Sequence, residues 1–182
     1  VIAGAVWFFQ YRNTAAPFGI FKFLNFSSEE SGGGPSGINA DGAGPKRYTD
    51  EKYGFSFQYP DGFTVRSLGA GEEGDILLSG KEGGGENFQI VISQFDEPGP
   101  LTLERIRRDL PGLAIEELQE ANIGGAEALV FFSSDASLGK TREVWFVWPD
   151  DPSLAGNYLY RVTSRAEFDA ELSKIMATFS FN

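Results

Sequence analysis

The sequence predicts an α/β (α+β) domain over Tyr48–Asn182, an antiparallel sheet with helices packed on both of its faces. Three observations predict it. Tyr53, Phe55, Phe57 and Tyr59 alternate with Gly54, Ser56 and Gln58, the period-two pattern of a strand with one buried side. The runs Leu129–Phe132 and Val144–Trp148 are large and apolar on both sides, so they belong in the middle of a sheet that is covered twice. Near the end, Phe168, Leu172, Ile175, Met176 and Phe179 make one stripe at helical spacing.

The elements follow in order. After the first aromatic strand, Tyr59-Pro60-Asp61-Gly62 has proline second and glycine fourth, as a type I turn prefers. Phe63, Val65 and Leu68 resume as a strand. Ile76–Leu78 and Phe88–Phe95 read as strands joined by a glycine-rich hairpin loop, Ser79-Gly80-Lys81-Glu82-Gly83-Gly84-Gly85. Thr102 caps a short helix whose Leu103, Ile106 and Leu110 share a face, and Pro111-Gly112 ends it. Strands are expected at Ile115–Ala121, Ala126–Ser133, Arg142–Trp148 and Asn157–Thr163. Ser164 and Glu167 have the spacing of a capping box at the start of the last helix, whose role is core packing.

The first 47 residues read differently. Val1–Phe9 is wholly apolar, and Trp7, Tyr11 and Arg12 resemble the interfacial exit of a transmembrane helix. Nine helical residues rise only ~14 Å against a hydrocarbon thickness of ~30 Å, so a span needs further residues upstream of Val1. A membrane anchor remnant with a juxtamembrane segment over 1–26 is the favoured reading. The rivals are a secretory h-region, which Pro17 after Thr14-Ala15-Ala16 fits poorly, and an ordinary core element. A pilin-like start fits less well, because the run stops early and lacks an acidic residue. Residues 27–47 are Ser/Gly/Pro-rich with almost nothing to bury, which makes them a flexible linker reaching roughly 25 Å by random-coil scaling. The domain at 48–182 is then expected on the outer side of a cell membrane, held by a single pass.

Composition removes several kinds of chemistry. The chain has 15 basic and 26 acidic side chains, a net charge of −11, and residues 48–182 alone carry 11 and 23. Nonspecific binding to nucleic acid or to an anionic lipid surface is disfavoured, because both need positive charge facing phosphate. With no Cys there is neither a disulfide nor a thiolate nucleophile, and with no His there is no Ser-His-Asp relay and no imidazole ligand for a metal. No cofactor is expected.

Four local patterns carry a chemical reading. Glu72, Glu73 and Asp75 offer hard oxygen ligands of the kind Ca²⁺ takes, although the spacing is not that of an EF-hand and a solvated acidic turn explains it as well. Arg105, Arg107 and Arg108 are the one basic cluster of the domain and a candidate partner-binding patch, with a charged outer helix face, paired through Glu104 and Arg108, as the plainer reading. Ser137-Leu138-Gly139-Lys140 matches an S-x-x-K motif, but it lies between two strands and lacks its usual companions, which makes it turn chemistry. The Ser79–Gly85 glycines precede a strand rather than a helix and carry Glu82, so they do not form a phosphate loop.

Together, Tyr48-Thr49-Asp50, Tyr53-Gly54-Phe55-Ser56-Phe57 with Tyr59-Pro60, the Gly124-Gly125 pair before a strand, and a last helix running into Thr178-Phe179-Ser180-Phe181 resemble the PsbP-like (Mog1/PsbP) domains. The resemblance covers about Tyr48–Asn182. It implies an α/β/α sandwich around a central antiparallel sheet, in small membrane-anchored bacterial proteins among others, and a binding or accessory role rather than catalysis. Plant members are linked to metal ions through histidines, and no such site carries over to a chain without His. The expectation is therefore a non-enzymatic, membrane-tethered extracytoplasmic module for a protein partner of unknown identity. The alternative is a carboxylate-dependent hydrolase or a small-ligand carrier, which a deep pocket holding two carboxyls with raised pKa values would favour.

Overall fold

The computed structural model describes residues 44–68, 74–80, 86–136, 138–149 and 157–182. The expectations for 1–26 and for most of the linker lie outside them. The first strand, β1 (Lys46–Asp50), takes in Lys46 and Arg47, which composition assigns to the linker.

Aromatic alternation does make a strand with a buried side. In β2 (Phe55–Tyr59), Phe55 and Phe57 are fully buried. That strand does not join the main sheet. It lies between β1 and β10 (Ser180–Phe181) in a small three-stranded antiparallel sheet. The side chains of Arg47, Ser56 and Ser180 link the three strands, with Arg47 donating to Ser56 Oγ at 2.7 Å and the two serine hydroxyls 3.0 Å apart.

The turn after β2 differs from the expected type. Phe63 N–H donates to Pro60 C=O at 3.2 Å, so the four-residue turn begins at Pro60 and places Gly62 third, at φ 99°. A positive φ at the third position belongs to the type II family and needs glycine. Beyond it, β3 (Thr64–Ser67) is a short edge strand, and Leu68 is exposed rather than part of its buried side.

The main sheet is seven-stranded and wholly antiparallel, in the order β3-β4-β5-β9-β8-β7-β6. Its remaining members are β4 (Gly74–Ser79), β5 (Glu86–Phe95), β6 (Glu116–Ile123), β7 (Ala126–Asp135), β8 (Gly139–Trp148) and β9 (Asn157–Arg165). Both double-sided apolar runs are interior strands, as expected. Tight connections set the order: Gly124 and Gly125, at φ 61° and 105°, close the two-residue turn between the paired Ile123 and Ala126. Gly139, at φ 73°, sits where β7 turns into β8, as a turn glycine does, and Ser137 lies outside the described residues.

Each side of the sheet carries one helix. The seven-residue α1 (Leu103–Asp109) is capped as expected, Thr102 Oγ1 accepting from Arg105 N–H at 3.2 Å. Its one buried residue, Ile106, packs with Phe95, Leu129, Phe131, Trp145 and Val147. On the opposite side α2 (Asp169–Met176) inserts Leu172, Ile175 and Met176 beside the small sheet. Here Phe146 stacks on Tyr160 at 5.0 Å, Phe55 on Phe179 at 4.9 Å and Trp148 on Phe181 at 4.4 Å. The α/β/α sandwich holds, with a second sheet added to one outer layer. The capping box does not form: Ser164 belongs to β9 and donates to Arg165 C=O, and a 3₁₀ turn at Ala166–Phe168 precedes α2 without a side-chain cap. Among the described residues no helix is long and apolar enough to cross a membrane.

Candidate functional site

Among the described residues, a cleft opens beneath each helix. The first holds about 260 Å³ between α1 and the sheet, with Phe95, Leu159, Trp145 and Ile106 as its apolar lining and Arg105, Asp109 and Arg161 among its charged residues. The second holds about 310 Å³ between α2 and strands β6 to β8. Val130, Val144, Leu172 and Met176 line it, and Arg142 crosses it to Asp169, with Nε 3.1 Å from Oδ1. Arg142 also lies over the Phe132 ring, 4.4 Å from its centroid, so its guanidinium is held on two sides. Each cleft is lined by one carboxylate residue, so neither brings two together.

The carboxyl with the most unusual environment lies in neither cleft. Glu143 points inward from β8 on the α1 side of the sheet and is almost fully buried. Its Oε2 accepts from Trp145 Nε1–H at 2.9 Å and from Thr163 Oγ1–H at 2.7 Å. Burial raises its pKa above the ordinary glutamate value, and hydrogen bonds from Thr163, Thr141 and Trp145, together with the nearby Arg161 charge, oppose that rise only in part. A legible signal exists for it. Glu143 stands in the same inward phase as Thr141, Trp145 and Val147, the one charged residue of that phase.

The basic patch lies on α1, as its helical spacing predicts, but its ion pairs are not the expected ones. Arg105 bridges Asp96 at 2.7 Å and Glu97 at 3.1 Å, reaches Asp109 one turn along the helix, and lies over the Phe95 ring. Burial works against its charge, but hydrogen bonds to Asp109, Asp96 and Glu97 outweigh that and raise its pKa. Arg108 binds Glu97 and Asp109, not Glu104, and the hydrogen bond from Arg108 followed by that from Arg105 lowers the Glu97 pKa. The i,i+4 pair is thus Arg105–Asp109. Arg107 is exposed and makes no ion pair among the described residues. Two of the three arginines therefore tie α1 to the loop after β5, which leaves little free positive charge for a partner.

Of the acidic trio, Glu72 and Glu73 lie outside the described residues. Asp75, in β4, accepts two contacts from the Gln89 amide at 3.0 and 3.2 Å across the β4–β5 pair. Among the described residues no group of three Asp or Glu side chains converges as a metal site.

No known protein-family model matches the chain, and no curated protein matches it. Solved structures do. The chain is similar to the solution structure of cyanobacterial PsbP from Synechocystis, with 14% identity over 82% of this chain and 98% of that one and a TM-score of 0.45. It is also similar to a protein of Bacteroides thetaiotaomicron, with 13% identity and a TM-score of 0.44 over 75% of this chain, which spans 48% of that protein's length. No residue role passes from either protein to this chain.

Proposed function

We propose that the domain is a non-enzymatic binding or accessory module, tethered by residues 1–26 to a cell membrane and displayed outside the cytoplasm to meet a protein partner. The observation that carries the reading is the way its charged groups are used. The one carboxyl that burial raises, among the described residues, is enclosed by hydroxyl and indole donors inside the sheet, behind the Trp145 that lines the α1 cleft, and itself lines neither cleft. Each cleft-lining carboxylate is held by an arginine, Asp109 by Arg105 and Asp169 by Arg142. A general acid or base must reach a reacting atom with a proton to exchange, and groups held this way are suited to fixing structure instead. The apolar start with Trp7, Tyr11 and Arg12, and the Gly/Ser/Pro stretch after it, support the tether.

The test has two arms. The full chain should sediment with membranes and withstand salt extraction, whereas a chain beginning at Lys46 should remain in the soluble fraction and stay folded. Pull-down from solubilised native membranes should recover a partner on the domain. Release of the full chain by salt would remove the tether, and a single Asp or Glu substitution that abolishes a measured turnover while the fold survives would make the domain an enzyme.

A further inference from the structure

Among the described residues, the β6 edge of the main sheet has no strand paired to its outer side. Strand β6 is the terminal strand of the sheet, and residues 116–122 are exposed. An edge strand presents unpaired N–H and C=O groups along its outer side, and extended peptides bind such edges by continuing the ladder. The pairing register divides β6 by side. Gln119, Ala121 and Ile123 pair with Val130, Ala128 and Ala126 on the α2 side, where the 310 Å³ cleft borders the strand. Glu120 and Asn122 pair with Leu129 and Glu127 on the other side, which places the exposed Glu120 and Glu127 on one diagonal.

The geometry points to Gln119–Ile123 as a docking edge for an extended basic peptide in which apolar and cationic residues alternate. Side chains of an added strand project to the two sides in turn. Those on the α2 side meet the cleft between Ala121 and Met176, where an apolar group suits the Val130, Val144 and Leu172 lining beside the Arg142–Asp169 pair. Those on the other side meet Glu120 on β6, with Glu127 one strand further in on β7, and this acidic stretch suits the long side chain of lysine or arginine. A second copy of this chain is a poor occupant, because over residues 119–123 it sets Glu120 against Glu120 in parallel register and against Asn122 in antiparallel register, and offers no cation in either. The bulge between Glu116 and Gln119, where Glu117 takes a φ of 52°, breaks the regular ladder at that end and confines the docking edge to the five residues beyond it. This deepens the binding-module reading and rests on it.

The probe is a fluorescent, end-blocked hexapeptide of alternating lysine and valine, compared with its glutamate–valine counterpart and with the same lysines and valines in two blocks. Fluorescence anisotropy with the full chain at low salt should show binding of the first peptide, weaker binding of the block peptide and none of the acidic one. Hydrogen exchange should slow at the amides of residues 119–123 on adding the first peptide. The doubly reversed variant E120K/E127K, checked for an unchanged circular dichroism spectrum, should bind the basic peptide about tenfold more weakly, as expected for two exposed ion pairs turned repulsive, and should gain the acidic one. No binding of the basic peptide, protection elsewhere, or equal affinity in the reversed variant would each overturn the docking edge. The membrane pull-down separates that failure from the broader one. A partner recovered equally by wild type and E120K/E127K removes the edge and leaves a binding module, whereas a partner recovered by neither removes both.

Discussion

The two sides of the main sheet are built by the same strands and hold together differently. On the α2 side, β8 contributes Val144 and Phe146 to a continuous aromatic interior shared with the small sheet and α2. On the α1 side the alternate residues Trp145 and Val147 support one short helix through Ile106, and the next inward position is a buried acid, Glu143. One side is stabilised by area, the other by a small apolar cluster, a hydrogen-bonded carboxyl and surface ion pairs. Strand alternation lets one sequence serve both, because adjacent residues never share a side.

The largest expected effect that would test this contrast is Phe146→Ala, which opens a cavity among Tyr160, Phe179 and Phe181. It should cost about 3–5 kcal/mol and lower the whole unfolding transition in urea. Ile106→Ala should act more locally, at about 2–4 kcal/mol or less, with hydrogen exchange rising in α1 while the β5–β9–β8 amides keep their protection. If both variants melted the protein to the same extent, the two sides would not differ as argued.

Next comes Glu143. Glu143→Ala leaves the Trp145 N–H and the Thr163 hydroxyl buried without their acceptor and should cost about 1–3 kcal/mol at pH 4, where the native carboxyl is neutral. The pH dependence has a definite sign. Because burial raises the folded pKa, the unfolded chain releases its proton first, so this group makes stability fall as pH rises from the ordinary value of 4.5 towards the folded one. Glu143→Gln, which keeps a carbonyl acceptor, should flatten that part of the stability–pH curve in chemical denaturation. An unchanged slope would show that the carboxyl does not titrate as its surroundings require.

The smallest effects lie on the outside of α1. Thr102→Ala removes the cap and should cost about 1 kcal/mol. Arg108→Ala, with its partners exposed to solvent, should have a smaller effect than loss of the cap, and less as salt is added. The order of the two variants, measured by urea unfolding, separates a fixed hydrogen bond from screened surface charge.

Much of this architecture was legible from local pattern alone. Alternation at Phe55 and Phe57, the apolar runs of β7 and β8, the Thr102 cap and the stripe through Leu172, Ile175 and Met176 are each written in a few consecutive residues, because a strand or helix repeats faster than the chain turns. The candidate sites were less legible. Arg105 and Arg108 stand out by charge, but their partners Asp96 and Glu97 belong to another segment, and only the fold brings those groups together. Likewise the expected Ser164 cap fails because Ser164 is recruited by the pairing of β9 with β5 and β8, a competition that the tetrad of sequence does not display.

By itself, then, the sequence determined which side of each element is apolar, where the chain turns, and that this acidic domain lacks histidine and cysteine chemistry. Only the tertiary structure decided that β2 leaves the main sheet to pair with a strand more than 120 residues away, that Glu143 has hydroxyl and indole partners, and that β6 is the terminal strand among the described residues. The physical reason is that periodicity reports how a segment meets an interior, while strand order and side-chain pairing depend on which distant segment supplies the other surface.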